Sequence, residues 1–187
     1  MSSKGRPPDP NRRAATLAKA TGYVLENGLA GLSLRPLAAA LGTSTRMLLY
    51  DFGSKEQLVT AVLAEARRRE AALLAEWRRA PDTSDAATLH TIWGWIAADE
   101  RVPFLRLFFE VYVDAMTHPE RYAGGAKAMV ADWLGVIASE WSVEPPDTAT
   151  ATLMIAVVRG LLLDRLATGE TERTDAALDR FVQLIER

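Results

Sequence analysis

The chain contains no cysteine, which excludes disulfides, a thiolate nucleophile and any Cys-ligated metal. Histidine is nearly as scarce. His90 and His118 are the only two; they lie far apart, and no metal site and no His-based catalysis is expected. There is no Gly-x-Ser-x-Gly elbow, P-loop or dinucleotide fingerprint to suggest hydrolysis or nucleotide chemistry. Long charge-free apolar runs are also missing. Arg159, Asp164 and Arg165 break up the most apolar region, so no stretch is expected to span a bilayer. The opening MSSKGRPPDPNRR has no apolar signal core, and a cytoplasmic location is expected. No β-alternation, internal repeat or low-complexity tract is present. These absences describe a non-enzyme without cofactor or metal.

What the chain does have is a large apolar fraction and an uneven charge. Of its 187 residues 49% are hydrophobic, enough for a sizeable core, and the net charge is only −2. Residues 1–55, however, hold eight Lys/Arg against three Asp/Glu, and residues 56–187 fourteen against twenty-one. A basic head on an acidic body suits a protein that docks one end on phosphates.

The stretch SLRPLAAALGTSTRMLLYDFGSKE, from Ser33 to Glu56, gives that head a shape. Leu34, Leu37, Ala38 and Leu41 recur at helical spacing. Ser33 is a natural N-cap, and Gly42 ends the helix because it reaches left-handed angles without a Cβ penalty. Thr43 and Ser44 open a second helix anchored by Met47, Leu48 and Phe52. Two short helices crossing at a Gly turn, with small Ala38 at the crossing, form a helix-turn-helix whose second helix can enter a major groove. Ser54-Lys55-Glu56-Gln57 has capping-box spacing, and a long helix should follow to about Ala80.

Roughly from Arg12 to Val62, this segment resembles the DNA-binding domain of the TetR family of bacterial transcriptional regulators. Gly28, Ser33, Leu37-Ala38, Gly42, Ser44, Leu48, Phe52 and Ser54-Lys55-Glu56 carry the resemblance. Two positions depart from it: Leu49 stands where many members have a phosphate-contacting Tyr, and Asp51 where they have His or Tyr. Tyr50 could supply the lost hydroxyl, while Asp51 should turn away from a phosphate. The resemblance implies a homodimeric, ligand-controlled repressor that binds a near-palindromic operator and is released when an effector moves the long helix. The rival reading is a helical body acting as an enzyme or protein-docking module; the missing catalytic constellation argues against the enzyme.

The expected architecture is all-α. Residues 1–10, with Pro7, Pro8 and Pro10, form a disordered basic arm that, with Arg12 and Arg13, could reach a minor groove. Residues 11–55 form a three-helix helix-turn-helix domain. Residues 56–187, entered through the long helix, form an effector-binding and dimerisation domain. Helix 1, near Asn11–Asn27, should turn Leu17, Ala20, Thr21, Val24 and Leu25 inward. In the long helix Leu58, Val62, Ala66, Leu73 and Trp77 share a face, and Arg67, Arg68 and Arg69 suit a solvated one. Later helices should begin at Thr83 or Ser84, at Pro103, near Tyr122, after Pro145-Pro146-Asp147 and near Thr174.

Candidate DNA-binding residues are Arg35, Thr43, Ser44, Thr45, Arg46, Tyr50 and Lys55. Arg46 can bond a guanine bidentately, and Lys55 lies beside helix N-terminal N–H groups that attract phosphate. Candidate effector-pocket residues are Trp93, Phe104, Phe108, Tyr112, Met116, Trp133 and Arg159, an aromatic and Met wall suited to an apolar or aromatic molecule. Arg159, set in apolar sequence, needs an acidic partner, an effector carboxylate or a path to solvent. Candidate dimer residues are Ile155, Val158, Leu162, Leu166, Leu178, Phe181, Val182 and Ile185. The implied partners are double-stranded DNA, a second copy of the chain and a small effector.

Overall fold

A computed structural model describes residues 9–77, 85–122, 125–140 and 146–185. Among these residues the chain is helical, with no strand. The α-helices are α1 (Pro10–Asn27), α2 (Leu34–Ala40), α3 (Thr45–Phe52), α4 (Lys55–Trp77), α5 (Asp85–Ile96), α6 (Val102–Thr117), α7 (Gly125–Glu140), α8 (Thr148–Thr168) and α9 (Thr171–Ile185). They divide into two compact units. One holds α1–α4 with Arg106–Glu110 from the middle of α6; the other holds α5, α7, α8, α9 and the rest of α6. By packing, α4 therefore goes with the head, although the sequence placed a boundary at residues 55 and 56.

In the first unit α1 packs on α4 and α2, and α3 on α2 and α4. Ala20, Thr21 and Val24 of α1 are fully buried and meet a core of Leu37, Leu48, Leu58 and Val62, each 1% exposed. Each such side chain removed from water contributes about 1.5–3 kcal/mol. Gly28 stops α1 at φ 75°, with its N–H on the Val24 carbonyl. Arg69 lies on the inner flank of α4, not on a solvated face: its Nη2 donates to the Ala18 carbonyl of α1 at 3.0 Å. Further along α4 the inward residue is Leu74, while Leu73 is 40% exposed; the sequence stripe drifted by one position.

In the second unit α8 packs on α7 and α9, and α5 on α9. Leu89, Ile92, Trp93 and Ile96 face inward from α5 as their spacing requires. Pro103 occupies the first turn of α6, where its missing N–H costs nothing. Asp147 caps α8 by accepting from Ala149 N and Thr150 N. Gly169, left-handed at φ 74°, ends α8. α9 starts at Thr171, three residues before the sequence placed it, because Thr174 is fully buried in its first turn and donates to the Thr171 carbonyl. The expected starts at Thr83 or Ser84, and the arm at residues 1–8, lie outside the described residues.

Candidate functional site

The turn between α2 and α3 is a Schellman closure. Thr43 N donates to Ala38 O at 2.9 Å and Gly42 N to Ala39 O at 3.1 Å, with Gly42 at φ 67°. That pairing satisfies carbonyls the helix end leaves open and needs a left-handed residue at position 42. Ser44 then caps α3 by accepting from Met47 N at 3.2 Å. Ser54 caps α4 in the same way, from Gln57 N at 3.1 Å. Ser33 stands at the N-cap of α2 with extended angles, but its side chain makes no capping bond.

These caps fix which face of α3 looks out. Leu48, Asp51 and Phe52 are buried, while Arg46, Leu49 and Tyr50 are exposed, Leu49 by 41% and Tyr50 by 44%. Arg35 and Lys55, at the starts of α2 and α4, are exposed as well. Thr43 and Thr45 are only half-buried, and Ser44 is partly committed to its cap.

Asp51 faces inward. Its carboxylate takes Arg12 Nη2 at 2.6 Å and its backbone carbonyl takes Arg13 Nε at 3.0 Å. The two guanidinium groups also lie over the Tyr50 and Phe52 rings, at 5.7 and 4.8 Å. Arg12 and Arg13 are thus brackets between α1 and α3, and the reading of them as part of a minor-groove arm is corrected. Sequence spacing could not reveal this, since the partners are 39 and 38 residues apart.

Glu110 was also missed. From α6 its carboxylate accepts Leu29 N at 2.8 Å, and Ala30 N donates to the other oxygen. The turn after α1 is thereby capped from a residue 81 positions away. A Cβ at Gly28 would come within 3.1 Å of this carboxylate.

The proposed effector residues fall into several environments. Tyr112 and Arg159 are brought together: Arg159 Nη1 donates to the Tyr112 hydroxyl at 2.9 Å, and its guanidinium carbon lies 4.8 Å from the ring centre. Phe104 and Trp133 are half-buried. Trp93 is committed to the protein, its indole N–H bonding Asp175 at 2.7 Å beneath Arg165. Phe108 is buried in the first unit, edge-on to Phe109. Met116 is 69% exposed and is no buried wall.

The dimer stripe also needs correction. Leu178 and Val182 are 1% and 2% exposed, Leu162 and Ile155 5% and 8%; they fill the protomer's own core and are not available to a partner. Val158, Leu166 and Phe181 are half-buried, and Ile185 is exposed. The outward apolar residues of α8 are Leu153, Ala156, Gly160, Leu163 and Ala167, with Leu184 added from α9.

Residues 17–62, which contain the whole of this helix-turn-helix, match the profile of the bacterial regulatory proteins of the tetR family. The head matches the DNA-binding module of that family. Solved structures extend the likeness along the chain. A Rhodococcus sp. protein described as a TetR-family transcriptional regulator is 23% identical, with a TM-score of 0.74 over 95% of this chain and 100% of its own. A transcriptional regulator from Rhodococcus sp. Rha1 reaches 0.75 at 22% identity, over 95% and 96%. The multidrug binding protein EbrR, solved with ethidium, reaches 0.64 at 25% identity, over 90% and 97%. No curated protein matches the sequence. Over the described residues the fold is that of the TetR-like regulators. No described helix is long and apolar enough to cross a membrane.

Proposed function

We propose that this TetR-like protein is a ligand-responsive transcriptional repressor that binds a near-palindromic operator as a homodimer. The observation that supports it most is α3, a capped helix whose outer face carries Arg46, Leu49 and Tyr50 while its inner face is locked into the head. Arg46, in the first turn, reads a guanine edge in the major groove. Tyr50, Thr45, Thr43 and Ser44 contact bases or phosphates, and Arg35 and Lys55 hold the backbone on either side.

The second unit is the effector and dimerisation domain. EbrR has been solved with imidazole and with ethidium, and a body of the same fold in this chain takes a small organic molecule. Dimerisation uses the outward stripe of α8 together with α9, two helices from each copy around a two-fold axis. Effector and operator favour different states of that dimer, which suffices for release without any chemical step.

The test is genome-wide footprinting with the purified protein, followed by titration of the strongest site at several salt concentrations. A specific, inverted-repeat site with steep salt dependence is expected. Binding that does not distinguish that site from scrambled DNA would sink the proposal.

A further inference from the structure

Three arginines of the second unit are held by carboxylates, and Arg159 is satisfied differently. Arg165 pairs with Asp175 at 2.7 Å, Arg173 with Asp164 at 2.7 Å and Arg121 with Asp114 at 3.2 Å. Arg159 has no carboxylate partner among the described residues; its protein contacts are the ring and hydroxyl of Tyr112. It sits on the inward side of α8, between Ile155 one turn before and Leu162 one turn after, both buried. Its Nη2 is buried as well and has no hydrogen-bond partner among the described residues.

A buried donor left unpaired is costly, and more so when it carries charge. A guanidinium also presents its N–H groups as a planar fork that matches a carboxylate bidentately. Here Tyr112 holds one side of that fork, by the bond from Nη1 and by the ring beneath. The orientation is set while the Nη2 side is left for an outside acceptor. The arrangement is pre-organised for an anion and repels a cation.

We propose that Arg159, positioned by Tyr112, binds the carboxylate of the effector, so that the effector is an organic monocarboxylate with an apolar or aromatic body. This rests on the reading of the second unit as an effector domain, and it separates this chain from a site built for cationic dyes such as ethidium.

The test uses full-length protein, by calorimetry and by operator release, with benzoate, 1-naphthoate and octanoate against benzamide, 1-naphthamide and octanamide, and with ethidium as the cationic control. At least one carboxylate should bind and release the operator, about tenfold or more tighter than its amide. The preference should fade as the pH falls below the acid's own pKa. Arg159→Gln should lose the preference for the acid while keeping operator affinity, Arg159→Lys should keep part of it, and Tyr112→Phe should weaken the acid by a smaller factor. A wild-type protein that binds amides or ethidium as well as the acids, or none of the acids at all, overturns the proposal without touching DNA recognition. Acid preference that survives in folded Arg159→Gln overturns it too. Loss of operator binding by the wild-type protein would instead count against the regulator reading.

Discussion

The Arg12 guanidinium meets the Asp51 carboxylate at 2.6 Å, joining the first turn of α1 to the last turn of α3. The Asp51 side chain is only 3% exposed, whereas that of Arg12 is 44% exposed. Removing the arginine leaves a buried carboxylate without its counter-ion, a loss softened because water reaches the arginine side. Arg12→Ala should lower unfolding stability by about 1–3 kcal/mol in urea titration. Adding Asp51→Asn should recover part of that loss, since the charge that needed pairing is gone. An unchanged urea midpoint for Arg12→Ala would show that the pair holds nothing together.

Glu110 gives a second, independent prediction. Its two oxygens accept the N–H groups of Leu29 and Ala30. Glutamine is the same size, but its amide nitrogen cannot accept, so one backbone N–H loses its partner. Glu110→Gln should cost about 1–3 kcal/mol. Amide exchange at Leu29 and Ala30 should quicken more than in the core of α1, because the turn loosens before the unit unfolds. Equal exchange in both proteins would remove Glu110 from its role as a cap.

How much of this was legible in the sequence follows from the range of the interactions. Gly42, Ser44 and Ser54 act on neighbours within five residues, and the turn and two caps they make are where the sequence placed them. The buried face of α5 was readable for the same reason, since Leu89, Ile92, Trp93 and Ile96 repeat at the helical period. Arg12–Asp51 and Glu110–Leu29 join elements 39 and 81 residues apart, and no local pattern encodes such pairs. The errors on α8 and α9 have a different origin. α8 is apolar on several sides and has no unique inner face, so Leu163 could not be told from its buried neighbours although it is 49% exposed. α9 has one apolar stripe, and its sequence does not say whether Leu178, 1% exposed, packs on its own protomer or on a partner.

Acid should loosen the first unit through Glu65. Hydrogen bonds from Arg68, and then Arg69, hold its carboxyl down at about 2, from an ordinary 4.5. A lowered folded-state value means that the contribution is complete above about pH 4.5 and is lost as the pH falls through about 2. Glu65→Gln should therefore be less stable than the wild-type protein near neutrality, and the gap should close across that window. Denaturant titrations at stepped pH read it directly; a gap that stays constant with pH would mean that Glu65 acts through packing and not charge.

On DNA, Arg46 and Lys55 should separate into two kinds of contact. Both are exposed, so neither substitution should unfold the head. Arg46→Ala should cost about 1–3 kcal/mol of operator binding and relax preference at one position in each half-site. Lys55→Ala should weaken all sequences alike and reduce the salt slope by roughly one per lost phosphate contact, about two for a dimer. If Arg46→Ala kept full operator preference while Lys55→Ala abolished it, the roles given to α3 and α4 would have to be exchanged.

Assembly offers the sharpest contrast between neighbouring leucines. Leu163 and Leu153 are 49% and 54% exposed on the outward stripe of α8, which runs through Ala156, Gly160 and Ala167. Small residues at 156 and 160 let a partner helix come close, and nothing lies within 4 Å of a Cβ placed at Gly160. A charge on that stripe touches little in a single protomer but would be buried, unpaired, between two. Leu163→Glu should therefore give folded monomers, with a near-native helical signal, and should weaken operator binding because two linked heads bind better than one. Leu178 is 1% exposed inside the protomer, so Leu178→Glu should unfold the second unit instead of merely separating copies. Sedimentation with circular dichroism distinguishes these outcomes. A Leu163→Glu protein that still sediments as a dimer would place the interface on another face.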